Sequence, residues 1–236
     1  MFGLTFTTRS VLAAALTVLA IGLGGCDDEP AQRRAFITFL QTRIIDKPGL
    51  HIPIMSDEDI KNLGPYADQY RIMNGFHHRM NDAVSKDMQA LQASQPRSIE
   101  ELVARRAMLP VLQTAMTHMQ SEIDKARAEA DAAHNALHQP ADLKVVYDTA
   151  YDHMVALPAD TMRELAVSVQ QDLPVLKELA AYLDEHRRAI SYRDGVPMTN
   201  DAKVRGELEP LMRSAVAVAQ RSEEGKRKLR KMSEGY

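Results

Sequence analysis

From residue 29 onward, apolar and polar positions follow the three-and-four spacing of amphipathic helices almost to the C-terminus. Phe36, Ile37, Leu40, Ile44 and Ile45 set out a first helix over residues 29 to 45. Pro48-Gly49, Pro53 and Gly64 mark a loop from Lys47 to Gly64, with one turn after Ser56, for which Asp59 offers a weak capping partner. Pro65 suits a first helical position, and Tyr66, Tyr70, Met73, His77, Met80, Val84, Met88 and Leu91 step by three or four behind it. The series predicts a helix of about 30 residues, roughly 45 Å long.

Ser98-x-x-Glu101 is a capping box that opens the next helix. Its seam is Leu109, Leu112, Met116, Met119, Ile123, Ala126, Ala130, Ala133 and Leu137, the pattern of an antiparallel pair whose alanines permit close approach. Pro140 ends that helix, and Asp142 can cap a shorter one bearing Leu143, Val146, Tyr147, Ala150, Tyr151 and Met154. Pro158 and Asp160 open another, with Met162, Leu165, Val169, Leu173, Leu176, Ala180 and Leu183 inward. Ile190 to Met198 alone has strand character, because Asp194-Gly195 can turn a hairpin. A last helix from about Thr199 buries Val204, Leu208, Leu211, Ala215 and Val218.

Pro110, Pro174 and Pro210 fall inside three predicted helices, where each removes a donor and crowds the preceding turn, so kinks are expected. The expected fold is all-α: an elongated bundle of long, kinked, antiparallel helices with one small hairpin at 190–198. Nothing near Pro158 has linker composition. Residues 29–222 therefore read as one helical-bundle domain, followed by a basic C-terminal tail at 223–236.

The start of the chain is of a different kind. Arg9 precedes an apolar stretch from Val11 to Leu23, too short for the roughly 20 residues of a membrane span, so residues 1–25 read as an export signal. Leu23-Gly24-Gly25-Cys26 is similar to a bacterial lipobox, and Cys26 is the only cysteine of the chain. A thiol there supplies the nucleophile that lipid transfer requires. The expectation is a lipoprotein: Cys26 acylated with palmitate-type chains, the protein tethered to the bilayer and not spanning it. The alternative is a plain secretory signal with an incidental cysteine. Asp27 and Asp28 resemble the residues that retain lipoproteins at the inner membrane, which favours its periplasmic face over the outer membrane.

Composition narrows the function. The chain has 29 basic and 32 acidic residues, a net charge of −3, no Trp and 13 Met. This excludes collagen-like, disulfide-dense and low-complexity classes and supplies no field for nucleic acid. No Gly-rich phosphate loop, His-Glu-x-x-His helix or Gly-x-Ser-x-Gly elbow occurs. No catalytic or cofactor-binding residue is therefore assigned, and an enzyme is not the expectation.

The best polar constellation is Asp131, His134 and His138, which at spacings of three and four share one helical stripe. Two imidazoles at i and i+4 can grip zinc or copper, with a carboxylate one turn earlier as a third ligand. The plainer reading is a supported flank histidine, with His138 near the helix end meeting the macrodipole. His77 lies on an apolar face and reads as a core histidine bonded to a facing polar group, while His78 points elsewhere. Met73, Met80, Met116 and Met119 read as core filler and not as a copper stripe. Lys226, Arg227, Lys228, Arg230 and Lys231 form a basic run that suits either a solvated, frayed tail or contact with anionic headgroups.

Ala130-Asp131-Ala132-Ala133-His134-Asn135-Ala136-Leu137, then Asp142-Leu143-Lys144 and Tyr147-Asp148, closely resemble the YiaF-like family of bacterial lipoproteins, catalogued as a domain of unknown function. The resemblance extends to Arg34-Ala35-Phe36-Ile37 with Phe39-Leu40, Gly64-Pro65-Tyr66, Pro158-Ala159-Asp160 and the Ile190 to Val196 hairpin. It implies a membrane-associated lipoprotein and carries over no catalytic residue, cofactor or substrate. The expected function is a non-enzymatic interaction or scaffold protein of the cell envelope, bound to the bilayer through Cys26 and to an unidentified envelope partner. The rival is a periplasmic ligand or metal binder, or an enzyme, built around Asp131, His134 and His138.

Overall fold

A computed structural model describes residues 28–94, 96 and 98–235, with side chains throughout except at 88–94. Residues 1–27, including the signal, Cys26 and Asp27, lie outside the described residues. Asp28 is exposed and occupies the cap position of the first helix, where its carbonyl accepts from Gln32 N–H at 2.9 Å and its side chain makes no capping bond. Among the described residues, no helix is long and apolar enough to cross a membrane.

Helix α1 (Glu29–Leu40) takes Pro30 into its first turn and continues through a π turn over Gln41–Ile45, as the 29 to 45 periodicity requires. Phe36, Phe39, Leu40 and Ile44 form its buried face. After the loop, α2 (Asp57–Leu63) has two turns where one was expected. The cap is complete: Asp59 N–H donates to the Ser56 hydroxyl at 3.1 Å, and Ser56 N–H donates to the Asp59 carboxylate at 2.9 Å. These bonds, with Arg43 3.2 Å away, hold the Asp59 carboxyl below its ordinary range.

Helix α3 (Tyr66–Ser94) is the long helix predicted after Pro65. The single helix expected from Ser98 to Leu137 is divided into α4 (Ile99–Ala104), a 3-10 turn at Arg106–Met108, and α5 (Leu109–Asn135). Pro110 explains the division, since it has no N–H for the Arg106 carbonyl and its ring crowds that carbonyl. The chain tightens, with Met108 N–H donating to the Arg105 carbonyl at 2.8 Å, and restarts with Pro110 in the first turn of α5. Pro110 therefore starts a helix and does not kink one, whereas Pro174 and Pro210 do lie inside α-helices.

Helices α6 (Ala141–Tyr151) and α7 (Leu157–Glu185) were expected to be separated at Pro158. Instead a π turn over Asp152–Ala156 joins them. Pro158 offers no N–H to the Met154 carbonyl, and the wider turn accommodates its ring, with Leu157 N–H donating to the Asp152 carbonyl. Asp142 does not cap α6; its carboxylate lies 3.5 Å from Arg33 of α1. Strands β1 (Ser191–Arg193) and β2 (Val196–Met198) pair Tyr192 with Pro197. Asp194 and Gly195 turn the hairpin at φ of 52° and 76°.

Helix α8 (Ala202–Glu234) is capped by Asp201, which accepts from Lys203 and Val204 N–H at 2.9 and 3.1 Å. The segment 223–236 read as a separate basic tail is, through Glu234, the end of this helix. Gly225 is buried there because a Cβ would stand 2.8 Å from Leu165 of α7.

Helices α3, α5, α7 and α8 pack in chain order, each antiparallel to the next. Asp87 meets His118 and Arg79 meets Glu129 between α3 and α5, while Asp124 meets Arg163 and Gln120 meets Gln170 between α5 and α7. Buried Asp172 accepts from Arg221 at 2.9 Å, tying α7 to α8. Helices α1, α2 and α6 close the end of this row where α3 begins. One core lobe lies there, around Phe36, Tyr70, Ile123 and Tyr147; the other surrounds Leu102, Leu179 and Leu208. Leu112 and Val169 pack against both, joining them into one core.

Candidate functional site

The polar constellation picked out in the sequence sits where the end of α5 meets α6. On α5, Arg127 Nε donates to both carboxylate oxygens of Asp131 at 2.8 Å, an i,i+4 pair on one helical face. From α6, the Tyr151 hydroxyl donates to the same carboxylate at 2.7 Å. Burial, then this bond to a carboxylate, push the Tyr151 phenol well above its ordinary range. Asp131 thus has no need of a histidine partner.

His134 turns instead to α6. Its Nε2 donates to Asp148 at 2.8 Å, and Lys144 Nζ reaches the other carboxylate oxygen at 2.7 Å. Desolvation pushes the Asp148 carboxyl up, but the bonds from Lys144 and His134 outweigh it and hold the group below the ordinary carboxylate range. The imidazole lies against Tyr151 at 4.2 Å between ring centroids and against Tyr147 at 5.4 Å. Tyr147 is fully buried, and its hydroxyl donates to the Gln69 carbonyl on α3 at 2.8 Å. Gln139 binds the Gln69 side chain at 2.6 Å, so the corner is fastened to α3 as well.

His138 does not join this cluster. Helix α5 ends at Asn135, so the i,i+4 geometry assumed for His134 and His138 does not exist, and His138 is exposed in the connection to α6. Among the described residues no group of three His, Cys, Asp or Glu side chains is placed to hold a metal ion. The expected ligand stripe of Asp131, His134 and His138 is therefore corrected: two members have saturated partners and the third lies elsewhere. The bonds of Asp131, His134 and Asp148 join α5 to α6.

His77 departs from expectation in another way. It is buried, with 4 % of its surface exposed, yet neither ring nitrogen has a hydrogen-bond partner. Burial lowers its pKa from 6.5 to about 4. The Met154 carbonyl, left without an N–H from Pro158, lies near enough to offset part of that shift without forming a well-shaped bond, and the His78 charge adds slightly to the lowering. Met73, Met116 and Met119 are buried in the same lobe, with Met80 packed against it, which is the core role expected of them.

Sequence reasoning named Asp131 and His134 but missed Arg127, Lys144, Asp148 and Tyr151 as their partners. The i,i+4 pairs Arg127/Asp131 and Lys144/Asp148 were readable signals. The crossings between α5 and α6 were not, since they depend on how the two helices meet.

Fold and corner together define an all-α bundle protein whose distinctive polar residues lock helices together. The chain belongs to the family described as Protein of unknown function (DUF3053), which it matches over residues 12–230. It is 30% identical over 184 residues to the uncharacterized protein YiaF of Escherichia coli K12, with 77% of each chain covered, and the same figures hold for YiaF of E. coli O157:H7 and of Shigella flexneri. No solved structure matches this chain.

Proposed function

We propose that the protein is a lipid-anchored envelope protein that acts by binding another component and not by catalysis. The observation that carries this reading is Leu23-Gly24-Gly25-Cys26, with the chain's single cysteine at the end of a short apolar signal. Acylation of Cys26 tethers α1 within a few residues of the bilayer, and Asp27-Asp28 favours the periplasmic face of the inner membrane. The self-contained corner around Asp131 and His134 supports a structural use of the polar residues. An open groove of about 470 Å3 between α4, α7 and α8, lined by Ile99, Leu102, Leu176, Met212 and Val218, supports an interaction role. Val216 at its edge is 54% exposed.

Mass measurement of the mature N-terminus tests the anchor. A diacylglyceryl-modified Cys26 is expected, and an unmodified residue overturns the reading. A photocrosslinker at Val216 should give one recurrent adduct in living cells; the absence of any adduct overturns the interaction role.

A further inference from the structure

Helix α8, 33 residues long, is the last of the row and packs along α7. Val218 and Gly225 are buried on the α7 side, where Arg221 meets Asp172 and Lys228 meets Glu164. At about 100° per residue, Glu209, Arg213, Val216, Gln220, Glu223 and Arg227 fall on the opposite side, and all six are exposed. Their spacing alternates four and three, which is the spacing of a seam between two helices. Met212 and Ala219 flank Val216 and form with it the α8 wall of the groove described above.

The seam is uncharged at its centre and charged at both ends, reading acid, base, Val, Gln, acid, base. Turned end for end, the same series reads base, acid, Gln, Val, base, acid. An antiparallel copy therefore sets an opposite charge against every charged seam position, whereas a parallel copy would set each charge against its own kind.

We propose that this side of α8 binds α8 of a second copy of the chain, antiparallel, about a two-fold axis level with Val218. Glu209 then faces Arg227 of the second copy, and Arg213 faces Glu223 of the second copy, each twice by symmetry. Val216 packs beside Gln220 of the second copy at the centre. Within one chain Arg213 already bonds Glu209 and Lys226 bonds Glu223, each at 2.7 Å through one carboxylate oxygen, so the second copy extends both pairs into a network. The remaining charges on this side are Glu224, level with Met212, Arg230, level with Gly206, and Glu234, level with Ala202, and none of the three has a charge opposite it. Arg205 and Lys231 form the one like pair. They lie 13 residues from the axis, about 20 Å, where helices crossing near 20° have spread by about 7 Å, against about 3 to 5 Å at the ion pairs. Four attractive pairs near the axis thus outweigh two repulsive ones that are spread and screened at the ends. Exposed ion pairs are individually weak, so the seam closes at the local concentration that one shared membrane surface supplies. The inference rests on the interaction role and the anchor proposed above, and names the partner as a second copy.

The test uses the mature protein purified from membranes and reconstituted in vesicles. Val216 lies two residues from the axis, so its two copies stand about 6 Å apart along the helices, while those of Ala202 stand about 48 Å apart. With a short bismaleimide, Val216→Cys should crosslink chain to chain at least tenfold more than Ala202→Cys, the native chain with Cys26 alone serving as the blank. Arg227→Glu should cut the crosslink at Val216→Cys at least fivefold, and adding Glu209→Arg should restore it. Residues 209 and 227 are about 27 Å apart on one helix, so restoration passes only between copies. Equal crosslinking at the two positions, no loss with Arg227→Glu, or a loss that Glu209→Arg does not restore overturns the inference. A photocrosslinker at Val216 in living cells separates this failure from that of the interaction role. An adduct of twice the chain mass is expected, an adduct with a different protein overturns the second copy and keeps the interaction role, and no adduct overturns both.

Discussion

Lowering the pH should destabilise this protein through His77 before its carboxylates titrate. The imidazole ionises at 6.5 in the unfolded chain and at about 4 when folded, because burial disfavours the cation. Unfolding therefore takes up a proton between these values. Stability is unaffected above about pH 7.5, falls as pH drops through 6.5, and the loss is complete below about 4. Linkage puts the loss at about 1 kcal/mol at pH 5.5 and about 2 to 3 kcal/mol at pH 4.5. His77→Leu, close in volume, removes both unsatisfied nitrogens and the titration. It should be more stable than the native chain at pH 7.5 by about 2 kcal/mol, roughly 4 to 8 °C in melting temperature. Urea unfolding of both proteins at pH 7.5, 5.5 and 4.5, followed by circular dichroism, gives the comparison. The pairs His134–Asp148 and His118–Asp87 are present in both proteins and cancel in the difference. Parallel loss of stability in the two, or a His77→Leu protein weaker at pH 7.5, refutes the reasoning.

Three further outcomes are expected. Tyr151→Phe removes one bond to Asp131 and leaves the Arg127 pair, costing about 1 kcal/mol in urea unfolding with no change in helix content. Zinc or copper titrated calorimetrically should produce no heat that His134→Ala abolishes, since the imidazole is committed to Asp148; micromolar binding lost on that substitution would restore the metal reading. Gly49→Ala places a Cβ against the Ser233 carbonyl at a φ of 68°, so amide exchange over residues 230–235 should accelerate at least tenfold while the core remains protected.

The long helices were legible because their apolar faces repeat for many turns, and Asp194-Gly195 announced its hairpin through residues that tolerate positive φ. Boundaries at proline were less legible. Pro110, Pro158 and Pro174 look alike in sequence, yet one begins a helix, one is absorbed by a π turn and one lies within a helix. Which outcome occurs depends on the neighbouring helices that must stay packed across the irregularity. The site divided along the same line. Contacts within a helix follow from spacing, so Asp131 with Arg127 could be read. The bond from His134 to Asp148 depends on the α5–α6 crossing, and the loss of His138 depends on α5 ending at Asn135 before reaching it. That His77 is buried without a hydrogen-bond partner depends on what the other helices pack against it, which the periodicity around His77 does not register.

The placement of α1 bears on how the chain survives its own synthesis. Phe36 packs on Tyr66 at 5.6 Å between centroids and on Tyr147 at 6.2 Å, so its cover is completed only by α6. About 100 residues separate the two, and at about 5 to 20 residues per second the ribosome takes roughly 5 to 20 seconds to supply the second aromatic ring. For that interval the nascent chain offers Phe36, Leu40 and Ile44 as a greasy handle, the kind of segment that holdase chaperones and proteases compete to grasp.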